Sequence, residues 1–278
     1  MKTYTDAEIA DETLIRMASR IRAHVVTMSS RARAPHVASA LSCVDILVAL
    51  YFKVAQIYPA DPQRLDRDRI ILSKGHACAA LYACLSERGY FSIRNLELFA
   101  QEGTAFALHP SRKLDYGIEA TTGSLGHGLG IGTGMALASQ IDGHESKVFV
   151  VLSDGECNEG SVWEAAMWAP SKRLFNLVAV VDYNKLQAIG RCSEVTGIDP
   201  LPAKWEAFGW DVVEVDGHDL VALVRSLTTT HSTKPRAVIA HTTKGKGVSF
   251  MENDIEWHYR PPSEEDLDRA LLELGVVL

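Results

Sequence analysis

The sequence predicts an α/β protein: a doubly wound, mostly parallel sheet with helices on both faces. Three observations carry that expectation. The segments VFVVLSD and NLVAVVD are nearly apolar throughout and rich in β-branched residues, as strands covered on both faces must be. Around them lie segments of helical period, so strand and helix alternate along the chain. No low-complexity linker or repeat divides the 278 residues, a length that one sizeable core can hold. Residues 1–278 are therefore expected to form a single domain, with 1–40 as a helical amino-terminal extension.

Each element follows from local pattern. Leu14, Met17, Ile21 and Val25 recur at three and four positions, which predicts an amphipathic helix from Asp6 to about Ser30. A second helix is expected from Ser42 through Lys53. DRIILSKGH reads as a short strand entering a Gly-His turn, and ACAALYACLSERG as a helix stopping at Gly89. TTGSLGHGLGIGTGMALASQ is a Gly-rich turn running into a helix whose small residues permit close packing or close approach to a ligand. KVFVVLSD is a strand, a helix opens near Asn158-Glu159-Gly160, and NLVAVVD is the next strand. WDVVEVD and RAVIAHT then flank the helix DLVALVRSLTTT, and SEEDLDRALLELG opens with a capping-box pattern from Ser263 to Asp266.

Composition narrows the function. A formal net charge of −7 argues against general nucleic-acid binding. Arg31 and Arg33 form a small basic cluster, which is either a solvated loop or an anion contact near a site. Apolar runs such as ILVALY are far too short to span a bilayer, and MKTYTDAEIADE lacks the apolar core of a signal peptide. A cytoplasmic chain without membrane attachment is expected. The five cysteines, at 43, 78, 84, 157 and 192, are odd in number and lack paired zinc spacing, so reduced structural thiols are expected.

The chemistry concentrates at two strand ends. Asp154 and Asn184 each follow a strand, about thirty residues apart, in a strand–turn–helix–strand unit that puts both oxygen donors at the carboxyl ends of parallel strands, where open α/β sheets bind ligands. A carboxylate and an amide suit a hard cation such as Mg²⁺, which takes much of its octahedron from phosphate and water. A Mg²⁺-diphosphate site is expected.

Ser153-Asp154-Gly155, the spacing to Asp182-Tyr183-Asn184 and several separated motifs resemble the amino-terminal, thiamine diphosphate-binding part of transketolases over nearly the whole chain. The family signature is Gly-Asp-Gly, about thirty residues, then Asn; Ser153 replaces its first glycine here. The resemblance implies the diphosphate-binding domain of the thiamine diphosphate-binding fold. It further implies that Asp154, Asn184 and the carbonyl of Leu186 hold Mg²⁺, with Ca²⁺ or Mn²⁺ able to substitute. His76, Gly123, Ser124, Leu125, Gly155, Glu156, Glu159, Asn184 and Lys244 are implied to bind the cofactor. Lys244 and Lys246 read either as diphosphate contacts or as an exposed basic turn. Glu159 and Glu164 match glutamates that lie at the interface between protomers in transketolases.

Four histidines match active-site segments of the family: His36 in APHVASALSCVDIL, His76 after Ser73-Lys74-Gly75, His109 in ALHPSRKLDYGIEATTGSLGHG, and His258 in ENDIEWHYR. Pro35 stands where the family commonly has glycine. Histidine can remove a hydroxyl proton and stabilise charge on sugar oxygens near neutral pH. The resemblance assigns His36, His76 and His258 to the substrate oxygens and His109 to the ketose end of the donor. It implies transfer of a two-carbon ketol unit from a ketose or ketose phosphate to an aldehyde. No segment matches the family's pyrimidine-binding domain, whose glutamate activates the cofactor. A carboxy-terminal partner subunit is expected to supply it, in an α₂β₂ heterotetramer acting on sugars or sugar phosphates. One alternative is a 2-oxo acid dehydrogenase α-subunit, which shares the metal motif but not the histidine segments. Another is a noncatalytic thiamine diphosphate-binding subunit with an assembly or regulatory role. A dinucleotide module at GLGIGTG is weak, because no convincing strand precedes it.

Overall fold

A computed structural model describes residues 12–229 and 233–276. Its centre is a five-stranded sheet of β1 (Arg69–Leu72), β2 (Val148–Ser153), β3 (Leu177–Tyr183), β4 (Asp211–Asp216) and β5 (Arg236–His241). The strands lie in the order β1-β2-β3-β5-β4, and every neighbouring pair is parallel. The helices are α1 (Glu12–Arg31), α2 (Val37–Ser42), α3 (Val44–Ala49), α4 (Cys78–Glu87), α5 (Gly128–Ile141), α6 (Gly160–Ser171), α7 (Cys192–Val195), α8 (Leu201–Ala207), α9 (Leu220–Thr228) and α10 (Glu264–Leu274).

Side chains alternate across a strand, and the core divides accordingly. Phe149, Val151, Val178, Val180 and Val238 face one layer, built mainly from α1 to α4 and α9. Val148, Val150, Leu152, Ala179, Val181 and Ile239 face the other, built from α5, α6 and α8. This two-sided cover is why β2 and β3 read as unbroken apolar runs. The chain moves outward from β3 to β4 past α8, then returns through α9 to insert β5. Connections of constant hand that reverse direction must change face, and α9 lies opposite α8. The edge strand β4 is only partly buried and carries Glu214, as an edge should.

The expected alternation holds, with local differences. The amino-terminal helix starts at Glu12 among the described residues; positions 6–11 of the expected helix, and Thr230 of the expected DLVALVRSLTTT helix, lie outside them. α1 packs on α4 and α10, with Ile21 and Val25 fully buried. The single helix expected from Ser42 to Lys53 is instead α3, preceded by a break at Cys43 and followed by a π-helical turn at Leu50–Val54. Nearly every residue there is buried, so hydropathy carries no period to locate the break. The bend accommodates two buried polar contacts, Ser42 Oγ donating to Asp182 (2.6 Å) and Arg22 pairing with Asp45 (2.5 Å). α7 and α8 were not anticipated; α8 is anchored by Trp205, whose ring meets Trp210 at 4.8 Å and Trp163 at 5.5 Å. The capping box is present: Ser263 Oγ accepts from Asp266 N (3.1 Å) and the Asp266 carboxylate accepts from Ser263 N (3.0 Å). All five cysteines are buried free thiols. Among the described residues no helix is long and apolar enough to cross a membrane.

Candidate active site

Parallel strands place all their carboxyl ends on one edge of the sheet. Beyond β1 comes Ser73-Lys74-Gly75-His76, beyond β2 comes Asp154, and beyond β3 comes Asn184. Asp154 is buried; its Oδ1 accepts from Gly155 N (2.7 Å) and its Oδ2 from Lys185 N (2.6 Å), which ties the two strand ends together. Lys185 takes the left-handed conformation (φ 67°) that turns the chain back at this point. Asn184 Oδ1 accepts from Leu186 N (3.1 Å), while its amide nitrogen faces Asp182 (3.4 Å). Burial, with the Asp182 carboxylate nearby, raises the Asp154 pKa to about 6.

The expected metal ligands thus form one loop offering a carboxylate, an amide oxygen and a carbonyl. Among the described residues no group of three or more His, Cys, Asp or Glu side chains could hold a metal. The donor set fits a hard cation that completes its shell from phosphate and water, and does not resemble a thiolate or imidazole centre.

Under this loop lies a buried network that sequence reasoning did not assign. Lys74 and Asp182 are both fully buried and ion-paired, and Lys74 Nζ also donates to Ser39 O (2.9 Å). Thr242 and Ser42 also donate to Asp182. The signal was available, since an aspartate inside the apolar run LVAVVDY must be paired if it is buried. Glu156 is likewise fully buried: Oε1 accepts from the Ser73 hydroxyl and from Gly126 N (2.9 Å), and Oε2 from Ser153 N (3.2 Å). Its carboxylate therefore staples the ends of β1 and β2 to the 123–126 turn. Ser153, in place of the expected glycine, sits at the end of β2, where its hydroxyl accepts from Glu156 N (3.2 Å).

Gly123 (φ 142°) carries the turn over the site, and a Cβ there would lie 2.9 Å from His109 Cδ2. Gly75 presses against the same turn: its Cβ would stand 2.7 Å from Gly123 N and 2.8 Å from Thr122 C. Only glycine admits so close an approach of two backbones. Ser124 is exposed and Leu125 half-buried beside them.

The four histidines, far apart in sequence, meet. The His36 ring lies 5.2 Å from that of His76, 5.0 Å from His258 and 6.4 Å from His109. His36 caps α2 with a left-handed backbone (φ 72°), and its N–H donates to His258 O (2.8 Å), so two of the rings are tied through main chain. Burial lowers the pKa of His36 to about 4 and that of His258 to about 3, helped by Lys244 and Lys74. Burial and then Lys74 put His76 well below its ordinary value. These three are neutral at physiological pH; His109 is exposed at the edge of the group.

Lys244 joins the two halves. It is fully buried, and its Nζ donates to Leu186 O (2.9 Å) and His258 Nδ1 (2.9 Å), which leaves the proton of that ring on Nε2. Burial, then the Lys74 charge, lowers its pKa to about 8. Of the two readings of this basic turn, an exposed one is excluded for Lys244, whereas Lys246 is partly exposed. Glu159 and Glu164 are exposed on and before α6; Glu159 packs beside Gly126, whereas Glu164 shares its helix with the exposed Met167 and Trp168. Arg31 lines a cavity that none of the histidines enters, and Arg33 is exposed. Tyr259, another residue not anticipated, holds its ring 4.7 Å from His258 and 5.6 Å from His36.

The family described as "Transketolase, thiamine diphosphate binding domain" matches residues 14–277. One of the two chains of the apulose-4-phosphate transketolase of Phocaeicola vulgatus is 40% identical over 266 residues, covering 95% of this chain and 94% of that protein. The 6-deoxy-6-sulfo-D-fructose transketolase subunit SqwG of a Clostridium species is 42% identical over 241 residues, covering 86% and 88%. Among solved structures, transketolase from Campylobacter jejuni superposes with a TM-score of 0.88 at 28% identity over 95% of this chain, which spans 43% of that longer one.

Proposed function

Because the chain belongs to the family of transketolase thiamine diphosphate-binding domains, we propose that it is the amino-terminal subunit of a two-subunit transketolase, transferring a two-carbon ketol unit from a ketose or ketose phosphate to an aldehyde. The observation that carries this reading is Lys244, whose single ammonium touches both the Leu186 carbonyl of the oxygen-donor loop and the His258 ring. Diphosphate anchoring and sugar chemistry are thereby built as one site. A carboxy-terminal subunit would bring the pyrimidine-binding domain and its glutamate, in an α₂β₂ assembly.

In this reading Asp154, Asn184 and the Leu186 carbonyl hold Mg²⁺ and, through it, the diphosphate. The Gly123-Ser124-Leu125 turn lies against the cofactor ring, with Gly155, Glu159 and His76 around it. Thiamine diphosphate, when bound, supplies the electron sink for breaking the bond beside a ketose carbonyl. The chain's residues bind, orient and move protons. His36 and His76, held neutral by burial, can each accept a sugar hydroxyl proton. His258, with its Nδ1 engaged by Lys244, offers Nε2–H to a sugar oxygen. His109, exposed at the mouth, orients the ketose end.

The test is to titrate thiamine diphosphate and Mg²⁺ into the complex with its partner subunit, then to screen ketose and aldehyde pairs by mass spectrometry. Alanine at His36, His76 or His258 is expected to lower kcat/KM at least a hundredfold while cofactor affinity changes little. Unchanged turnover in all three would favour a noncatalytic role in cofactor-bound assembly instead.

A further inference from the structure

The largest cavity of the described chain, about 670 Å³, lies apart from the histidines, between the carboxyl half of α1 and the 3₁₀ segment Ile93–Leu98 with the turn that follows it. None of the residues assigned above to cofactor, metal or substrate lines it. Its volume falls within the ordinary range for small-molecule sites, roughly 300–1,000 Å³. Met28, Leu96 and Phe99 are buried and give it apolar walls, while Arg20, Arg31 and Arg94 place guanidinium groups along the same cavity.

The charge balance leaves an excess of cation. Arg20 Nε pairs with Glu87 at 2.6 Å, and His24 Nε2 shares that carboxylate at 2.8 Å. Arg31 reaches Glu97 only at 3.9 Å, with both side chains mostly exposed, and such a loose surface pair holds its arginine weakly. Among the described residues the Arg94 side chain has no ion-pair partner. Two carboxylates thus stand against three guanidiniums. A guanidinium presents a planar fork of donors suited to carboxylate, phosphate or sulfonate oxygens, and the apolar walls beneath suit the body of the same molecule.

We propose that this cavity is a second ligand site, which takes a small amphipathic anion: an apolar body against Met28, Leu96 and Phe99, and one oxyanion head held by Arg31 and Arg94. It accounts for the basic pair noted in the sequence, of which Arg31 faces this cavity. The site is independent of the catalytic reading.

The experiment is a fluorescence titration of the chain in complex with its partner subunit, using 8-anilinonaphthalene-1-sulfonate as probe, with decanoate, octyl phosphate and decanol as competitors. The expected result is one site per chain, displaced by decanoate or octyl phosphate but not by decanol at equal concentration. Affinity should fall at least tenfold in R31Q/R94Q, and equally in A32W, which fills the cavity from its half-buried wall; the thermal midpoint of each variant checks that it is folded. Equal affinity in the parent and both folded variants would overturn the proposal. So would probe binding confined to the free chain, because the cavity would then be covered by the partner.

Discussion

At the scale of single residues, burial rather than identity sets the chemistry. His36 has its pKa lowered from 6.5 to about 4. Between those values the unfolded chain takes up a proton that the folded chain refuses, so this group removes stability as pH falls through that window. Asp154 works the other way, because its pKa is raised from 3.8 to about 6 and the folded chain holds the extra proton. A comparison at constant Asp154 isolates the histidine: H36N is expected to lose less of its thermal midpoint than the parent between pH 7 and pH 5. An identical loss in both would show that His36 is not held neutral by the fold. Asp182 positions rather than reacts, since it receives Lys74, Ser42 and Thr242 and faces the Asn184 amide nitrogen. D182N would leave Lys74 buried without its counter-charge, a loss of about 3–5 kcal/mol in stability for a broken buried pair. Calorimetry should also find Mg²⁺-dependent cofactor affinity reduced in whatever fraction remains folded.

At the scale of elements, the strand ends and the turn they carry form the working unit. G75A would drive a Cβ into the backbone of Thr122 and Gly123, which no side-chain rotation can relieve. Cofactor affinity in G75A should drop at least tenfold with the sheet intact by circular dichroism; unchanged affinity would detach this turn from the cofactor. Removing the α10 cap with S263A should lower stability by about 1 kcal/mol without touching that affinity. These elements were unequally legible. β2, β3 and the α10 cap were readable because strands covered on both faces and capping boxes have strong local signatures. The break at Cys43 was hidden, since a stretch buried on all sides has no polar face to mark its period. The Asp154–Asn184 pairing and the four histidine segments were legible as motifs. The Lys74–Asp182 pair and the bridging position of Lys244 were not, because they depend on which strand ends the topology makes neighbours. Tyr259 carried no signal of its own, lying beside a histidine whose ring environment only the fold reveals.

At the scale of the whole molecule, the chain presents a surface in keeping with assembly. Met167 (59% exposed) and Trp168 (39% exposed) stand on α6 near Glu164, and Ile131 (37% exposed) on the neighbouring α5. Large apolar side chains exposed on neighbouring helices suit a contact between protomers, so M167K should shift the α₂β₂ complex toward smaller species in light scattering, at unchanged fold. The oxygen-donor loop and histidines make one part of a catalytic centre whose cofactor-activating glutamate is proposed to come from another chain. The most direct measurement is two-carbon transfer by this chain at saturating thiamine diphosphate and Mg²⁺, with and without the carboxy-terminal subunit, beside D154A in the same complex. Turnover should be found only in the complex of the unaltered chain, with D154A losing both cofactor binding and transfer. Equal turnover by the isolated chain at stoichiometric cofactor, or full activity in D154A, would contradict it.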